Sequence, residues 1–332
     1  MEYSKLPANP FYEMYKDSGI LTLAIPGISM FLVIGTTGIL GNTAVILITI
    51  SSKNLRSTTN YLLAFQCFFD SLHFTAHYYL AYVIYSGKNF DTLPTCYRIM
   101  VAPLIGLMFG IYLIFLIAFD RLIATFFPFR HQRMNKSLYL GSIMTLCIGV
   151  TAYIMYLGYL NAEANKDFMV VCLVVEGIHG PILATFTYMI VVLVLAAMAI
   201  YIIIGIYIRW RNDSSPTTKK LFKSLFILCM LMGCSWAFAS IGSSLCFALG
   251  LSERLTFFVP LYRGLTLNIA CASNFFVLTR YSSEYRTAAR EFFSKFGITF
   301  FKPIVEKSKV LNIASSQKVT APTVPIDLSA SS

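Results

Sequence analysis

Seven unbroken apolar runs decide what this chain can fold into. They lie near Ala24 to Ile50, Asn60 to Tyr85, Tyr97 to Phe127, Leu138 to Leu160, Ile178 to Ile208, Leu221 to Leu249 and Leu255 to Thr279. A hydrocarbon core about 30 Å thick takes roughly 20 helical residues to cross, and it holds no water to satisfy a backbone amide. Strands of an outer-membrane barrel would alternate apolar and polar residues in segments of about ten, and these runs do not alternate. The expected fold is an all-α membrane protein, a seven-transmembrane helix bundle. Composition agrees: of 332 residues 57% are hydrophobic and 12% charged, and the mean hydropathy is +0.69, too apolar for a soluble domain of this size.

Lysines and arginines set the orientation, because they are retained on the cytoplasmic side. Lys53 and Arg56, then Arg121, Arg130, Arg133 and Lys136, then Arg209, Arg211, Lys219, Lys220 and Lys223, and every basic residue from Arg280 onward fall on one side. The amino terminus is expected outside and the carboxyl terminus in the cytoplasm, as in a multi-pass plasma-membrane protein. The net charge of +11 then reflects topology and attraction to anionic membrane lipids, and no nucleic acid is expected as a partner. Residues 1–19 hold no apolar core of a cleavable leader, so the first run is expected to act as its own signal anchor. The domain reading is 1–23 extracellular, 24–280 the helical receptor-sized domain, 281–296 an amphipathic interfacial helix on the inner leaflet, and 297–332 a disordered tail rich in Ser, Thr, Val and Pro.

The third run carries the most information. Gly110 to His131 reads GIYLIFLIAFDRLIATFFPFRH, an apolar helix that meets the pair Asp120-Arg121 before Pro128 and a basic turn. A charge at a helix centre in lipid costs about 2.5–3.5 kcal/mol on insertion scales, so the pair should face protein or water near one surface. Cys96 stands 25 residues earlier, roughly 37 Å at helical rise, which puts it at the opposite face of the bilayer. Of the eight cysteines, six fall inside expected spans, where a small buried hydrophobe is the ordinary state. Cys96 and Cys172 are left on the outer, oxidising side, and a disulfide between them is expected.

Polar residues inside the spans need partners. Asn42 follows Gly41 in the first span, and Asp70 lies ten residues after Asn60, about 15 Å deep. His73 and His77 share its helix face. A transporter would use such a set as a proton relay. The favoured reading is a buried Asp70 bonded to Asn42 and Asn274, beneath two amphipathic histidines.

Taken together, Gly41-Asn42, Leu55-Arg56-Ser57, Asp70, Cys96, Asp120-Arg121-Leu122-Ile123-Ala124 with Pro128, Cys172, Trp236 and Ser273-Asn274-Phe275-Phe276-Val277 followed by Ser282-Ser283-Glu284-Tyr285-Arg286 resemble the rhodopsin-like G-protein-coupled receptors. Within them the chain looks most like the nematode serpentine chemoreceptors of class sx. Departures from the wider pattern are Leu122 where tyrosine is usual, Phe275 in place of the seventh-helix proline, Leu278 where a tyrosine would stand, and Phe238 in place of the sixth-helix proline. Without those prolines the helices are expected to kink less. Pro103 occupies the position of the amine-binding aspartate and the seventh run has no lysine for retinal, which argues against an amine receptor and a photoreceptor. Gly110 and Cys271 leave Asp70 with few oxygen partners, so no strong sodium site is expected.

The resemblance implies a coupling switch at Asp120, Arg121 and Leu122, opened to a heterotrimeric G protein when an extracellular ligand shifts the bundle. It implies a sensor at Trp236 and a polar network of Asn42, Asp70 and Asn274. The outer pocket is assigned by helix and depth to His77, Pro103, Leu104, Leu107, Ser240 and Tyr262, with Trp236 at its floor. The ligand is expected to be a small molecule or a short peptide, and the resemblance adds a sensory cilium as location. The foot of the sixth helix reads Thr217-Thr218-Lys219-Lys220, with no acid to hold Arg121. Arg121 is therefore expected to pair with Asp120 alone, and appreciable ligand-free activity follows as a hypothesis. A peptide-activated receptor is the near alternative. A seven-helix transporter or channel is the distant one, which would predict internal repeats or broken helices at the midplane. No nucleophile with a base, metal cluster or phosphate loop is evident, so neither an enzyme nor a bound cofactor or metal is expected.

Overall fold

The computed structural model describes residues 5–211, 216–250 and 252–298. The chain divides into two compact units, Met1–Phe292 and Phe293–Ser332. Of the second, residues 293–298 form a turn in which the amides of Phe296 and Ile298 donate to Phe293 O. Most of the tail expected to be disordered, from 299 on, lies outside the described residues.

The first unit is a multi-pass helical membrane bundle. A short outer helix α1 (Pro10–Tyr15) precedes α2 (Ile25–Ser51), then α3 (Thr58–Phe74) and α4 (Ala76–Tyr85), the central α5 (Leu93–Phe126), the turn helix α6 (Pro128–Arg133), α7 (Lys136–Ala164), α8 (Pro181–Arg211), α9 (Pro216–Ala248), α10 (Glu253–Ala272), α11 (Asn274–Tyr281) and α12 (Ser283–Ser294). Two short strands, β1 (Asp91–Thr92) and β2 (Met169–Val170), pair antiparallel across the outer loops. Helices α2, α5, α7 and α8 are each long and apolar enough to cross a membrane. In α5 67% of the apolar window is buried, against 33% or less in the other three, so α5 is the post around which the rest is arranged.

The second and seventh spans are each divided. Thr75 separates α3 from α4 and Ser273 separates α10 from α11. At both points the hydroxyl donates to the carbonyl three residues back, Thr75 Oγ1 to Leu72 O and Ser273 Oγ to Ala270 O, each at 2.7 Å. The backbone amides of the same residues also bond to those carbonyls at 3.2 Å, which tightens the turn. The seventh span is thus interrupted at Ser273 although it has no proline there.

Close approach of α3 and α5 depends on Gly106. A Cβ there would lie 2.6 Å from both His73 N and Phe69 O, so backbone meets backbone, the arrangement by which membrane helices gain contact where lipid provides no hydrophobic drive.

The outer rim is tied in three ways. Cys96 at the start of α5 is disulfide-bonded to Cys172, with Cα atoms 5.4 Å apart. The tight turn Val174–Ile178 lies over α5, with Gly177 against Met100 and Leu104. Finally, Phe11 of α1 stacks on Phe257 with ring centroids 3.9 Å apart and also meets Phe90 and Phe258. Hydrogen bonds between side chain and backbone hold this amino-terminal segment to the end of α7 and to β2: Leu6 N donates to Asn165 Oδ1 and Asn9 Nδ2 to Met169 O, both at 2.8 Å.

Candidate functional site

Three polar levels run down the bundle. The inner one is built where α5 ends. Helix α5 continues past its apolar stretch because Leu, Ile, Ala and Phe keep propensity and burial on its side, and Phe127, with non-helical φ and ψ, stops it before Pro128 starts α6. Asp120 is wholly buried. Its Oδ2 accepts from Thr59 Oγ1 of α3 and from Arg121 Nη2 at 3.1 Å, and its Oδ1 lies 2.9 Å from His131 Nε2 of α6. A buried carboxylate is tolerated only with such partners. Arg121 is 18% exposed, its carbonyl accepts from Thr125 Oγ1 at 2.7 Å, and its Nε has no partner among the described residues. Leu122 is half-buried beside it.

Thr59 and His131 are absent from the sequence-based site. Arg121 pairs with Asp120, but Asp120 does not depend on Arg121 alone. The one available signal for His131 was its position three residues after Pro128, which starts a new helix and turns the chain back toward α5.

The middle level joins three helices. Asn274 Nδ2 lies 3.0 Å from Asp70 Oδ2, 3.1 Å from Asn42 Oδ1 and 3.1 Å from Cys271 O. Gln66 adds a side-chain hydrogen bond to Asp70. Gly110 faces Asp70, where a Cβ would lie 2.7 Å from Oδ1, so α5 makes room for the carboxyl and offers it no oxygen. Among the described residues no group of three or more His, Cys, Asp or Glu is arranged to hold a metal.

On the outer level, His77 Nε2 and Asn268 Oδ1 are 2.6 Å apart, Asn268 Nδ2 donates to Gly264 O at 2.8 Å, and the His77 ring stacks on Phe31. His73 meets His77 edge to face at 5.5 Å. Pro103, Leu104 and Leu107 are buried on α5, with Leu104 beneath the Gly177 turn. Trp236 is half-buried, and its Nε1 has no partner among the described residues.

Tyr262 does not join the others: its hydroxyl donates to Leu23 O at 2.8 Å and its ring lies against Gly27. Its position around α10 turns it toward the start of α2. The side chain of Ser240, like those of Lys219 and Lys220, lies outside the described residues.

A groove of about 810 Å³ opens elsewhere, lined by Phe65, Phe68, Phe69, Phe109, Ile148 and other apolar residues of α3, α5 and α7. Phe65, Phe68 and Ile148 are exposed, so this groove opens on the outside of the bundle and is distinct from the levels above.

Beside the disulfide, burial pushes the Glu176 carboxyl up to about 7, against the pull of the Leu173, Cys172 and Val171 amides that it accepts from. His179 nearby is lowered by burial.

A family model described as serpentine type 7TM GPCR chemoreceptor Srsx matches residues 34–293. No curated protein matches the chain.

Proposed function

Because this chain belongs to the Srsx family of serpentine seven-transmembrane chemoreceptors, we propose that it binds a small extracellular chemical and passes the signal to a heterotrimeric G protein. In this reading it is a plasma-membrane receptor with its amino terminus outside, carried to a sensory cilium. The observation that carries the proposal is the pairing of buried Asp120 with half-buried Arg121 at the inner end of the central helix, with the disulfide pinning that helix's outer end.

The mechanism is a two-state shift. A ligand bound against α5 in the outer half, near Leu104, Leu107 and Trp236, favours one helix arrangement only to the extent that it binds that arrangement better. The His77–Asn268 contact joins α4 to α10, and Asn274, bonded also to Cys271 O of α10, joins α11 to α2 and α3, so a displacement above is passed along α10 to the level below. At the inner end Arg121 leaves Asp120 and is presented to the partner.

The test is a chemical screen in cells that reads calcium and cAMP, repeated with Arg121→Ala at matched surface density. A compound that signals through the native chain and not through the variant supports the proposal. A solute or ion current through the purified protein in liposomes, with no G protein present, contradicts it.

A further inference from the structure

We propose that residues 6–15 form a gate strapped across the outer mouth of the bundle, and that a chemical dissolved in water reaches the outer half of α5 only after Phe11 has left its seat. The inference rests on the receptor reading above for what passes the gate. The gate itself is a matter of access and does not depend on coupling.

The path of the segment carries the inference. Leu6 stands where α7 ends and α8 begins: its amide donates to Asn165 Oδ1 at 2.8 Å, and its side chain lies 3.3 Å from where a Cβ on Gly180 would stand. Asn9 Nδ2 donates to Met169 O of β2 at 2.8 Å, and Asn9 Oδ1 accepts from Phe11 N at 3.0 Å to start α1. Phe11 then reaches the start of α10, stacked on Phe257 at 3.9 Å and edge-on to Phe258 at 5.9 Å. Helix α10 packs on α2 and α9, whereas α7 packs on α5 and α8. The segment therefore passes from one side of the bundle to another over β2. Beyond α1, Asn89 Nδ2 donates to Ser18 O and Gly19 O, at 3.1 and 2.8 Å, where the chain returns toward α2.

The strap is continuous with the core beneath it. One apolar cluster joins Phe11 to Val171, Leu80, Leu265 and Phe31, and Phe31 stacks on His77 of the outer polar level. Phe11 is thus seated over the bundle interior.

The two ends of the strap are held differently. Leu6 and Asn9 hang on hydrogen bonds beside a polar gap of about 210 Å³ lined by Lys5, Glu13, Lys166 and Asp167. Water competes for such bonds, which leaves each a modest net worth. Phe11 is only 5% exposed, its ring enclosed by Tyr15 at 4.6 Å, Phe90 at 6.0 Å and the two phenylalanines of α10. Burial of an aromatic ring outweighs those bonds, so the segment stays shut or opens with Phe11.

A cysteine placed under the strap tests this. Leu107→Cys on α5 is exposed from outside to a membrane-impermeant, positively charged methanethiosulfonate. The rate is measured on cells matched for surface receptor, in the native background, with Phe11→Ala, and in a chain lacking residues 2–16. Labelling of the same chains without the added cysteine is subtracted. Losing a buried aromatic ring shifts a two-state equilibrium by roughly a hundredfold or more. Phe11→Ala is therefore expected to raise the labelling rate about tenfold or more, and removal of the strap at least as much.

Equal rates in the native background and with Phe11→Ala overturn the proposal. A cysteine unlabelled in all three chains overturns it too, because something other than the strap then closes the mouth. Phe11→Ala keeps the full chain and decides the matter should the shortened chain not reach the surface. The readout needs no G protein: protection by the strap in a chain that fails the Arg121→Ala screen leaves the gate standing and removes the receptor reading.

Discussion

The hydroxyl of Tyr285 on α12 lies 3.2 Å from Thr49 Oγ1 near the end of α2, and the tyrosine has no exposed surface. Thr49 Oγ1 also donates to its own helix at Val45 O, so the contact is held from both sides. Ala288 and Ala289 continue the buried face one turn on, and Arg286 Nε donates to Thr279 O at 2.9 Å. The helix after the last span is thus anchored on the first span by packing as well as by amphipathic character.

Replacing Tyr285 separates those contributions. Tyr285→Phe is expected to cost about 1 kcal/mol through the lost hydrogen bond, and Tyr285→Ala about 3–5 kcal/mol through the cavity as well. Thermal unfolding of the purified chain, followed at two or more probes, measures both. Equal losses for the two variants would show that the ring contributes nothing.

Gly106 is the position where added volume does most harm. Gly106→Val places its branch against His73 N and Phe69 O, which as backbone cannot move aside. Overpacking of this kind costs roughly 1–3 kcal/mol. Surface expression and melting midpoint should both fall, while Gly149→Val, at a site with open space around it, should leave them nearly unchanged.

The outer tie makes a separate prediction. The Cys96–Cys172 bond closes a loop of 76 residues, for which chain entropy gives about 4 kcal/mol. Cys172→Ser is expected to lower surface delivery sharply, and Cys96→Ser/Cys172→Ser no further than either single change, because one bond is lost in every case. Labelling with a membrane-impermeant tag counts the surface receptors.

Glu176 predicts a pH dependence on the outer face. Its carboxyl titrates near 7 in the folded loop, against an ordinary value of 4.5, so the folded chain holds a proton that the unfolded chain has already lost. Stability from this group is complete below about pH 4.5, falls as pH rises toward 7 and is flat above that. The melting midpoint of the native chain should decline across this window relative to Glu176→Gln, which has no proton to lose. Parallel curves for the two proteins would remove Glu176 as the cause.

Much of the fold was legible because its cause is local in sequence. An apolar run of spanning length has few alternatives, and two cysteines left in outer loops have few partners. The divisions at Thr75 and Ser273 were not legible, because serines and threonines inside unbroken helices also bond to carbonyls three or four residues back, as Ser142, Thr266, Ser71 and Thr187 do. Depth along its span put Asp70 near the midplane, the need of a buried carboxyl for partners pointed to Asn42 and Asn274, and Asn274 does bridge the other two; their part in signalling is a proposal. Depth did not give rotation, which is why Tyr262 was assigned to the pocket although it reaches Leu23. His131 escaped notice because its meeting with Asp120 depends on how sharply Phe127 turns the chain, and no residue pattern encodes that angle.

The central claim is that Arg121 links this bundle to a G protein. Its most direct test is GTPγS uptake by a purified heterotrimer on membranes bearing the native chain or Arg121→Ala at equal density, with no ligand added. The native chain should raise uptake above empty membranes, and the variant should return it to that baseline. Uptake at baseline for the native chain would contradict its ligand-free activity, and uptake that Arg121→Ala leaves intact would contradict the coupling itself.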